Sequence, residues 1–162
     1  MQLKIFYTEK AGENAASIES ALVETYSMLN LSMVQGGVLS LIKEAYSLAR
    51  DQYDASLLLK YLFQRGNMLL WIVDKDLYAD NMNFIFGFAF FQKGAILSTH
   101  RLDTRELIDK EAIHEVGHVL GLQHCRRKCV MKFSNSLEGA RAKPQALCEN
   151  CRNILRLRKQ NL

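Results

Sequence analysis

The residues able to do chemistry concentrate between positions 114 and 151, which hold three of the four histidines and all four cysteines. This stretch opens as His114-Glu115-Val116-Gly117-His118. Residues i and i+4 share one face of an α-helix, so both imidazoles can bind one metal ion. Gly121 permits the helix to end in a left-handed turn that returns His124 as a third ligand. Three neutral imidazoles and one open position are typical of a catalytic zinc site.

Glu115 lies about 100° around the helix from His114 and borders the predicted metal. Zinc lowers the pKa of its bound water toward about 7 and polarises a carbonyl. Glu115 can then act as the catalytic general base, taking the proton from the zinc-bound water and passing it to a leaving amine, which is peptide hydrolysis. Chance placement of the histidines is the alternative, and Gly121 with His124 argues against it. Glu111, one turn earlier, is predicted to be an exposed glutamate rather than a partner of an imidazole.

The cysteines Cys125, Cys129, Cys148 and Cys151 form two closely spaced pairs. This spacing suits a closed structural zinc site of four thiolates, with disulfides or an iron–sulfur cluster as alternatives. The residues after Met1 lack the charged and apolar regions of a signal peptide, which predicts a cytoplasmic protein. A reducing compartment disfavours disulfides. We therefore expect two zinc ions per chain, one catalytic and one structural.

The extended pattern from His114 to His124 resembles the metzincin clan of zinc peptidases. Cysteines interleaved with a downstream methionine, Met131, narrow the resemblance to the archaemetzincin family. Four upstream segments also look like archaemetzincin sequence: Gln52-Tyr53-Asp54-Ala55, Asp76-Leu77-Tyr78, Asn83-Phe84-Ile85-Phe86-Gly87 and Arg101-Leu102. The segments from Cys125 to Cys129 and from Met131 to Cys148 are each one residue shorter here than in the family pattern.

The resemblance implies a metzincin-like zincin fold of the α/β (α+β) class, a twisted mixed sheet with helices, an active-site helix and a small C-terminal subdomain. It implies a zinc-dependent metallopeptidase with a second, structural zinc at the cysteines, and it makes Met131 the Met-turn residue beneath the catalytic metal. Residues 1–162 would form a single catalytic domain, with an N-terminal subdomain over 1–121 and a C-terminal subdomain over 122–162.

The same resemblance implies how a substrate is held. In metzincins the strand before the active-site helix binds the peptide as an added strand, and main-chain groups of residues 87–91 or 95–98 would do so here. Residues 132–147 would form the wall of the pocket for the side chain after the cleaved bond. Phe133 is predicted either to line that pocket or to pack in the core.

Composition and charge limit the remaining possibilities. The chain has 162 residues, of which 49% are hydrophobic and 23% charged, as expected for one globular domain. No apolar run reaches the roughly 18 residues of a membrane span. Residues 122–162 carry 10 basic and 2 acidic side chains, net +8. Because no aromatic residues interleave with the basic residues of 152–159, nucleic acid is not the expected partner. The metallopeptidase interpretation instead predicts a peptide or small protein as the substrate.

Two alternatives compete with a metallopeptidase. A zinc-stabilised binding module would explain the basic tail and the cysteines, but a closed structural site gains nothing from Glu115 or from an open ligand position. A zincin fold that is catalytically silent, or that acts on another amide, would carry the same residues.

The elements that must position the site follow from the spacing of apolar residues. Strands are predicted over 2–7, 33–39, 68–73, 83–91 and 95–99, and helices over 14–29, 41–64 and 104–120. The order strand, helix, strand, helix, strand is typical of an α/β layer. Gln92-Lys93-Gly94 is predicted to join the last two strands as a hairpin.

The active-site helix is predicted to begin after Asp103 as its N-cap. Its apolar residues are predicted to face the core, with the metal-binding face and Glu111 pointing away from it. Upstream, Asp74 and Asp76 are expected to lie in a solvated turn and not in a metal site. His100 is expected at the surface.

Overall fold

The computed structural model describes residues 1–160. The strands are β1 (Gln2–Tyr7), β2 (Ser32–Val38), β3 (Tyr46–Ser47), β4 (Gln52–Asp54), β5 (Leu69–Val73), β6 (Leu77–Tyr78), β7 (Gly87–Phe90) and β8 (Gly94–Ser98). The helices are α1 (Ala15–Thr25), α2 (Ala55–Phe63), α3 (Arg105–Val119), α4 (Leu137–Ala142) and α5 (Glu149–Gln160). They form a mixed α/β fold in which helices cover both faces of a central sheet.

The central sheet has the strand order β2-β1-β5-β8-β7. All neighbouring strands are parallel except β7, which is antiparallel to β8. The predicted hairpin between β7 and β8 is confirmed, and Gln92 takes a positive φ of 58° in its turn. Because β7 lies at the edge of this sheet, its outer main-chain groups are free to pair with another chain.

Strand β5 is an uninterrupted apolar run because both of its faces are buried. Leu70 and Ile72 pack with α1 and α3 on one face of the sheet, whereas Leu69, Trp71 and Val73 pack with α2 on the other. A parallel strand covered on both faces has no polar side, so its side chains do not alternate. The predicted buried strand is confirmed.

The predicted helix over residues 41–64 is wrong in its first half. Residues 43–45 form a 3-10 turn, followed by β3 and β4, and α2 begins only at Ala55. The Asp54 carboxylate fixes that start by accepting hydrogen bonds from the backbone N–H groups of Ser56 and Leu57, at 2.8 and 3.3 Å. An aspartate N-cap of this kind stabilises a helix start.

Helix α3 begins one residue later than predicted. The N-cap is Thr104, whose hydroxyl accepts a hydrogen bond from the Leu107 N–H at 3.2 Å, and Asp103 instead forms an ion pair with Arg141. At the other end Gly121 has a φ of 97°. The N–H of Gly121 donates to the His118 carbonyl and that of Leu122 to the Gly117 carbonyl. These two bonds form a Schellman motif, as the glycine predicted.

The C-terminal part contains α4 and α5, neither of which the spacing of apolar residues predicted. Ser136 caps α4 by accepting a hydrogen bond from the Gly139 N–H at 3.0 Å. Helix α5 begins beside Cys151 and is anchored to the rest of the fold by Leu155 and Cys151, which are both buried. Within residues 1–160, no helix is both long enough and apolar enough to cross a membrane.

Candidate active site and metal centres

The three histidines of the motif converge at the floor of a cleft. His114 and His118 come from adjacent turns of α3, and His124 returns after the turn at Gly121. One nitrogen from each ring can be chosen so that the three lie within 4.8 Å of one another. The structure therefore brings together the side chains that the spacing placed on one metal.

Carbonyl groups fix which ring nitrogen faces the cleft. The Nδ1 atoms of His114 and His118 lie 2.9 Å from the Val130 carbonyl and 2.8 Å from the Leu122 carbonyl. Each Nδ1 must carry the hydrogen to donate there, so each Nε2 has a free lone pair. The two Nε2 atoms are 3.0 Å apart. Two lone pairs at that distance repel unless a cation lies between them, so the site fits a metal.

Burial keeps these imidazoles neutral. It lowers the pKa of His114 to about 2, and it also lowers the pKa values of His118 and His124. The Lys143 ammonium acts in the same direction on all three rings. Neutral imidazole is the form that binds zinc, so the ligands are ready to bind at neutral pH.

Glu115 lies beside the histidines and is buried. Burial and, to a smaller extent, the neighbouring Glu111 raise the pKa of its carboxyl from 4.5 to about 8, while Lys143 opposes the change. The raised pKa makes the carboxylate form a stronger proton acceptor, and the positive charge of a bound zinc ion would favour that form, which is the one a general base requires.

The sequence analysis placed Gly87 in a strand that could bind peptide, but it did not predict that Gly87 contacts Glu115. A Cβ atom added to Gly87 on β7 would lie 2.5 Å from the Glu115 Cγ and 2.7 Å from its Oε1. The edge strand and the Glu115 carboxyl can approach this closely only because Gly87 has no side chain. Residues 83–87, one of the segments that resembled the family, thus end where the main chain packs against the Glu115 side chain.

Replacing Gly87 by Ala is expected to destabilise the protein by about 1–3 kcal/mol, the usual cost of overpacking, and to reduce the peptidase activity predicted from the sequence by moving Glu115. Thermal unfolding measures the first effect. The matched control is the same substitution in a Glu115→Ala background, where the space is free and the loss should nearly vanish. Equal losses in the two backgrounds would contradict the contact.

Met131 lies beneath α3, and another glycine makes room for it. Met131 is fully buried, and a Cβ atom on Gly117 would collide with its sulfur. The Tyr26 hydroxyl lies on the same side and donates a hydrogen bond to the Ile113 carbonyl at 2.6 Å. Sequence analysis gave Gly117 and Tyr26 no role, because both contacts join residues far apart in the chain.

The four cysteine sulfurs form a second cluster just below Met131. They lie within 4.8 Å of one another, with Cys125 and Cys148 sulfurs 3.8 Å apart and those of Cys129 and Cys151 3.7 Å apart. Four sulfurs at about 2.3 Å from one tetrahedral zinc are separated by roughly 3.8 Å. All four thiols are free, with no disulfide. The one-residue differences from the family spacing therefore leave a cluster that fits a single tetrahedral ion.

Hydrogen bonds connect the cysteine cluster to Met131. The Cys125 N–H donates to the Met131 carbonyl at 3.0 Å. The Cys129 sulfur accepts hydrogen bonds from the N–H groups of Met131 and Cys148, at 3.5 and 3.3 Å. Any displacement of the cysteine cluster would therefore move Met131, whose sulfur lies against Gly117 of α3.

The prediction that Glu111 is exposed is wrong. Its side chain is 3% exposed, and its Oε1 lies 2.7 Å from the Nζ of Lys143, which is 1% exposed. Helix α3 does not have one core face and one solvent face, because Met131 and β7 also pack against the side that carries the histidines. The face predicted to point away from the core is therefore buried as well.

The prediction of a solvated turn at Asp76 is also wrong. Asp76 is only 8% exposed, and its carboxylate accepts two hydrogen bonds from Arg101 at 2.9 and 2.8 Å. Gln52 donates to the same carboxylate at 2.9 Å and to the Asn83 carbonyl at 2.7 Å, and the Arg101 guanidinium stacks over Phe84 at 4.0 Å. The four upstream segments that resembled the family thus meet in one network, which holds the chain leading to Gly87.

The cleft above the histidines has a volume of about 380 Å³. Edge strand β7 and residues 79–86 form one wall, and Phe133, Ser134 and Asn135 form the other. Phe133 lines the cleft with 52% of its surface exposed, so it does not pack in the core. Residues 95–98 cannot bind a peptide backbone, because β8 is paired on both sides, which leaves β7. His100 is exposed, as predicted.

Comparisons with known proteins agree on one relationship. The sequence pattern of peptidase family M54 matches residues 18–157. An archaemetzincin of Nanoarchaeum equitans is 49% identical over 114 residues, which are 68% of this chain and 67% of that protein. The crystal structure of an archaemetzincin from Archaeoglobus fulgidus superimposes with a TM-score of 0.86 at 32% identity, over 94% of this chain and 99% of that one. One from Methanopyrus kandleri gives 0.86 at 30% identity, over 100% and 96%.

Proposed function

The chain belongs to peptidase family M54, the archaemetzincins, and is a zinc metallopeptidase; within that activity, we propose that Glu115 is the general base at an ion bound by His114, His118 and His124. The observation that carries this assignment is the buried Glu115 carboxyl beside three neutral imidazoles at the floor of an open cleft. A closed structural site has no use for a base or for an accessible position.

Different residues of the chain have different roles in hydrolysis. Zinc, when bound, acts as a Lewis acid that polarises the scissile carbonyl and makes water more acidic. Glu115 accepts the proton of the attacking water and delivers it to the amine that leaves. The free edge of β7 pairs with the peptide backbone and holds the scissile bond over the histidines. Met131 supports the histidines from below as the Met-turn residue.

A second zinc ion is proposed at Cys125, Cys129, Cys148 and Cys151. The spacing of the four sulfurs supports one tetrahedral ion, and the absence of an open position suits a structural role. We propose one catalytic domain, with residues 1–121 above the cleft and residues 122–160 below it; residues 161 and 162 of the predicted C-terminal subdomain lie outside the described part of the chain. Cysteines that bind zinc as thiolates suit a reducing compartment, and we propose the cytoplasm.

We propose peptides or small proteins as substrates, because an edge strand and a cleft of about 380 Å³ suit an extended chain. The binding-module alternative has only the basic C-terminal part in its favour. Nucleic acid is not the proposed partner.

Metal analysis tests the two sites. Wild-type protein is expected to contain two zinc ions per chain, and His118→Ala one, with loss of activity against a peptide library. Each ion depends on its own ligands, so removing one imidazole should leave the four-thiolate site filled. Elemental analysis by mass spectrometry gives the count. One zinc in both proteins would mean that the histidines bind no stable metal, and the binding module would then be favoured.

A further inference from the structure

The buried ion pair of Lys143 and Glu111 lies directly behind the histidine site. Lys143 follows the last residue of α4, and its Nζ lies 2.7 Å from the Glu111 carboxylate on α3. Both side chains are almost fully buried. Charges removed from water interact more strongly than exposed ones, because little solvent screens them. This pair can therefore influence a metal ion bound by its neighbours.

The pair presents its positive end to a metal ligand. The Lys143 Nζ is 3.4 Å from the Nδ1 of His114, the nitrogen that donates to the Val130 carbonyl. An ammonium group has no lone pair, so it cannot accept the hydrogen of that nitrogen. The contact therefore places a positive charge beside a ligand whose own hydrogen bond goes to the Val130 carbonyl.

Partners of zinc-binding histidines are normally carbonyls or carboxylates, which make the imidazole a better donor. The Val130 carbonyl has that role here, and the Lys143 ammonium group opposes it, because a nearby cation withdraws electron density from the ring and repels the incoming Zn²⁺. Glu111 opposes the effect from the far side of the ammonium group. Before metal binds, the same ammonium group compensates the Glu111 carboxylate, which would otherwise be buried without a partner.

We propose that Lys143 weakens zinc binding at the three-histidine site, and that Glu111 limits this weakening. The inference rests on the proposed assignment of these histidines as zinc ligands. The consequence is that the two sites exchange zinc with the solution differently. The four-thiolate site keeps its ion, while the histidine site gains and loses zinc as the free zinc concentration changes. Peptidase activity would then follow zinc supply.

A four-protein comparison tests the proposal: wild type, Lys143→Met, Glu111→Gln and the double variant. The dissociation constant for zinc at the histidine site is measured by competition with a chromogenic chelator, on protein that retains the cysteine-bound ion. Lys143→Met is expected to bind zinc about tenfold more tightly and Glu111→Gln about tenfold more weakly, the range found for partners of zinc ligands. The double variant should lie near wild type.

Lys110→Met is the matched control. Lys110 is also buried on α3, but its Nζ donates to the Arg141 carbonyl at 3.1 Å and pairs with Glu106. Its replacement should leave zinc affinity unchanged. If Lys143→Met does not fold, the zinc affinity of the double variant is compared with that of Glu111→Gln, since these two proteins also differ only at Lys143. The double variant should fold, because removing both partners leaves no buried ion unpaired.

Unchanged or weaker binding in the folded Lys143→Met protein, or in the double variant relative to Glu111→Gln, would overturn the proposal. The proposed function fails in a different way, since His118→Ala would then bind as much zinc as wild type before any lysine is changed.

Discussion

Glu115→Gln is expected to abolish peptide hydrolysis, lowering kcat by about 10²–10⁴-fold, while the protein keeps its zinc. Glutamine has nearly the same shape but cannot accept a proton from water or return it to the amine. The measurement is kcat on peptides selected from a library, with zinc counted in the same samples. Equal turnover by the two proteins would remove Glu115 from the mechanism.

The same variant has a second expected effect, on the stability of the protein without an ion at the histidine site. Burial raises the pKa of Glu115 from 4.5 to about 8, so the folded state holds a proton that the unfolded chain has already released. A raised carboxyl pKa therefore costs stability as pH increases from about 4.5 to 8, and the cost is complete above that range. Glutamine has no such cost.

Unfolding temperatures of proteins that lack the histidine-bound ion but retain the cysteine-bound ion, measured from pH 5 to pH 9, check this linkage. Glu115→Gln should gain stability over wild type as pH rises, with little difference at the acidic end. Parallel curves would mean that the carboxyl does not titrate in this window. Glu138, a residue of α4 with no ion pair among the described residues, provides a control through Glu138→Gln.

The second large effect is expected for Cys129→Ser, which should lower the free energy of unfolding by on the order of 5 kcal/mol. Structural zinc contributes about 10–16 kcal/mol in isolated zinc-finger peptides, and the rest of this fold can retain only part of its order without it. The Cys129 sulfur also accepts hydrogen bonds from Met131 and Cys148. For a domain of this size the unfolding temperature should fall by about 10–20 °C.

His118→Ala is the natural comparison for that experiment, because it removes the other metal without touching the cysteine cluster. It should lose activity with a much smaller change in unfolding temperature, whereas Cys129→Ser should lose stability first and activity as a result. Thermal unfolding with zinc analysis separates the two. A Cys129→Ser protein as stable as wild type would show that the cluster has no structural role.

Short stretches of sequence determined much of the fold and of the candidate site. The spacing of His114 and His118 on one helix and the turn at Gly121 depend on residues a few positions apart, so helix geometry alone brings these ligands together. The apolar run of β5 and the hairpin before α3 were likewise predictable from short patterns. The cysteine spacing also indicated a compact cluster.

Only the tertiary structure decided what surrounds those residues. Glu111 was predicted to be exposed and Asp76 to be solvated, because an acidic residue without an apolar pattern is usually at the surface. Their partners, Lys143 and Arg101, lie more than 20 positions away in the sequence. Gly87 gave no sign that its missing side chain makes room for Glu115.

The physical reason is that the period of apolar residues reports the faces of an isolated helix or strand, not the elements that later pack against them. Helix α3 is covered by α1, by β7 and by the turn that carries Met131, so polar and apolar faces alike become buried. The ligands were set by spacing within a few turns of chain. The charges, glycines and carbonyls that tune them were set by contacts across the whole fold.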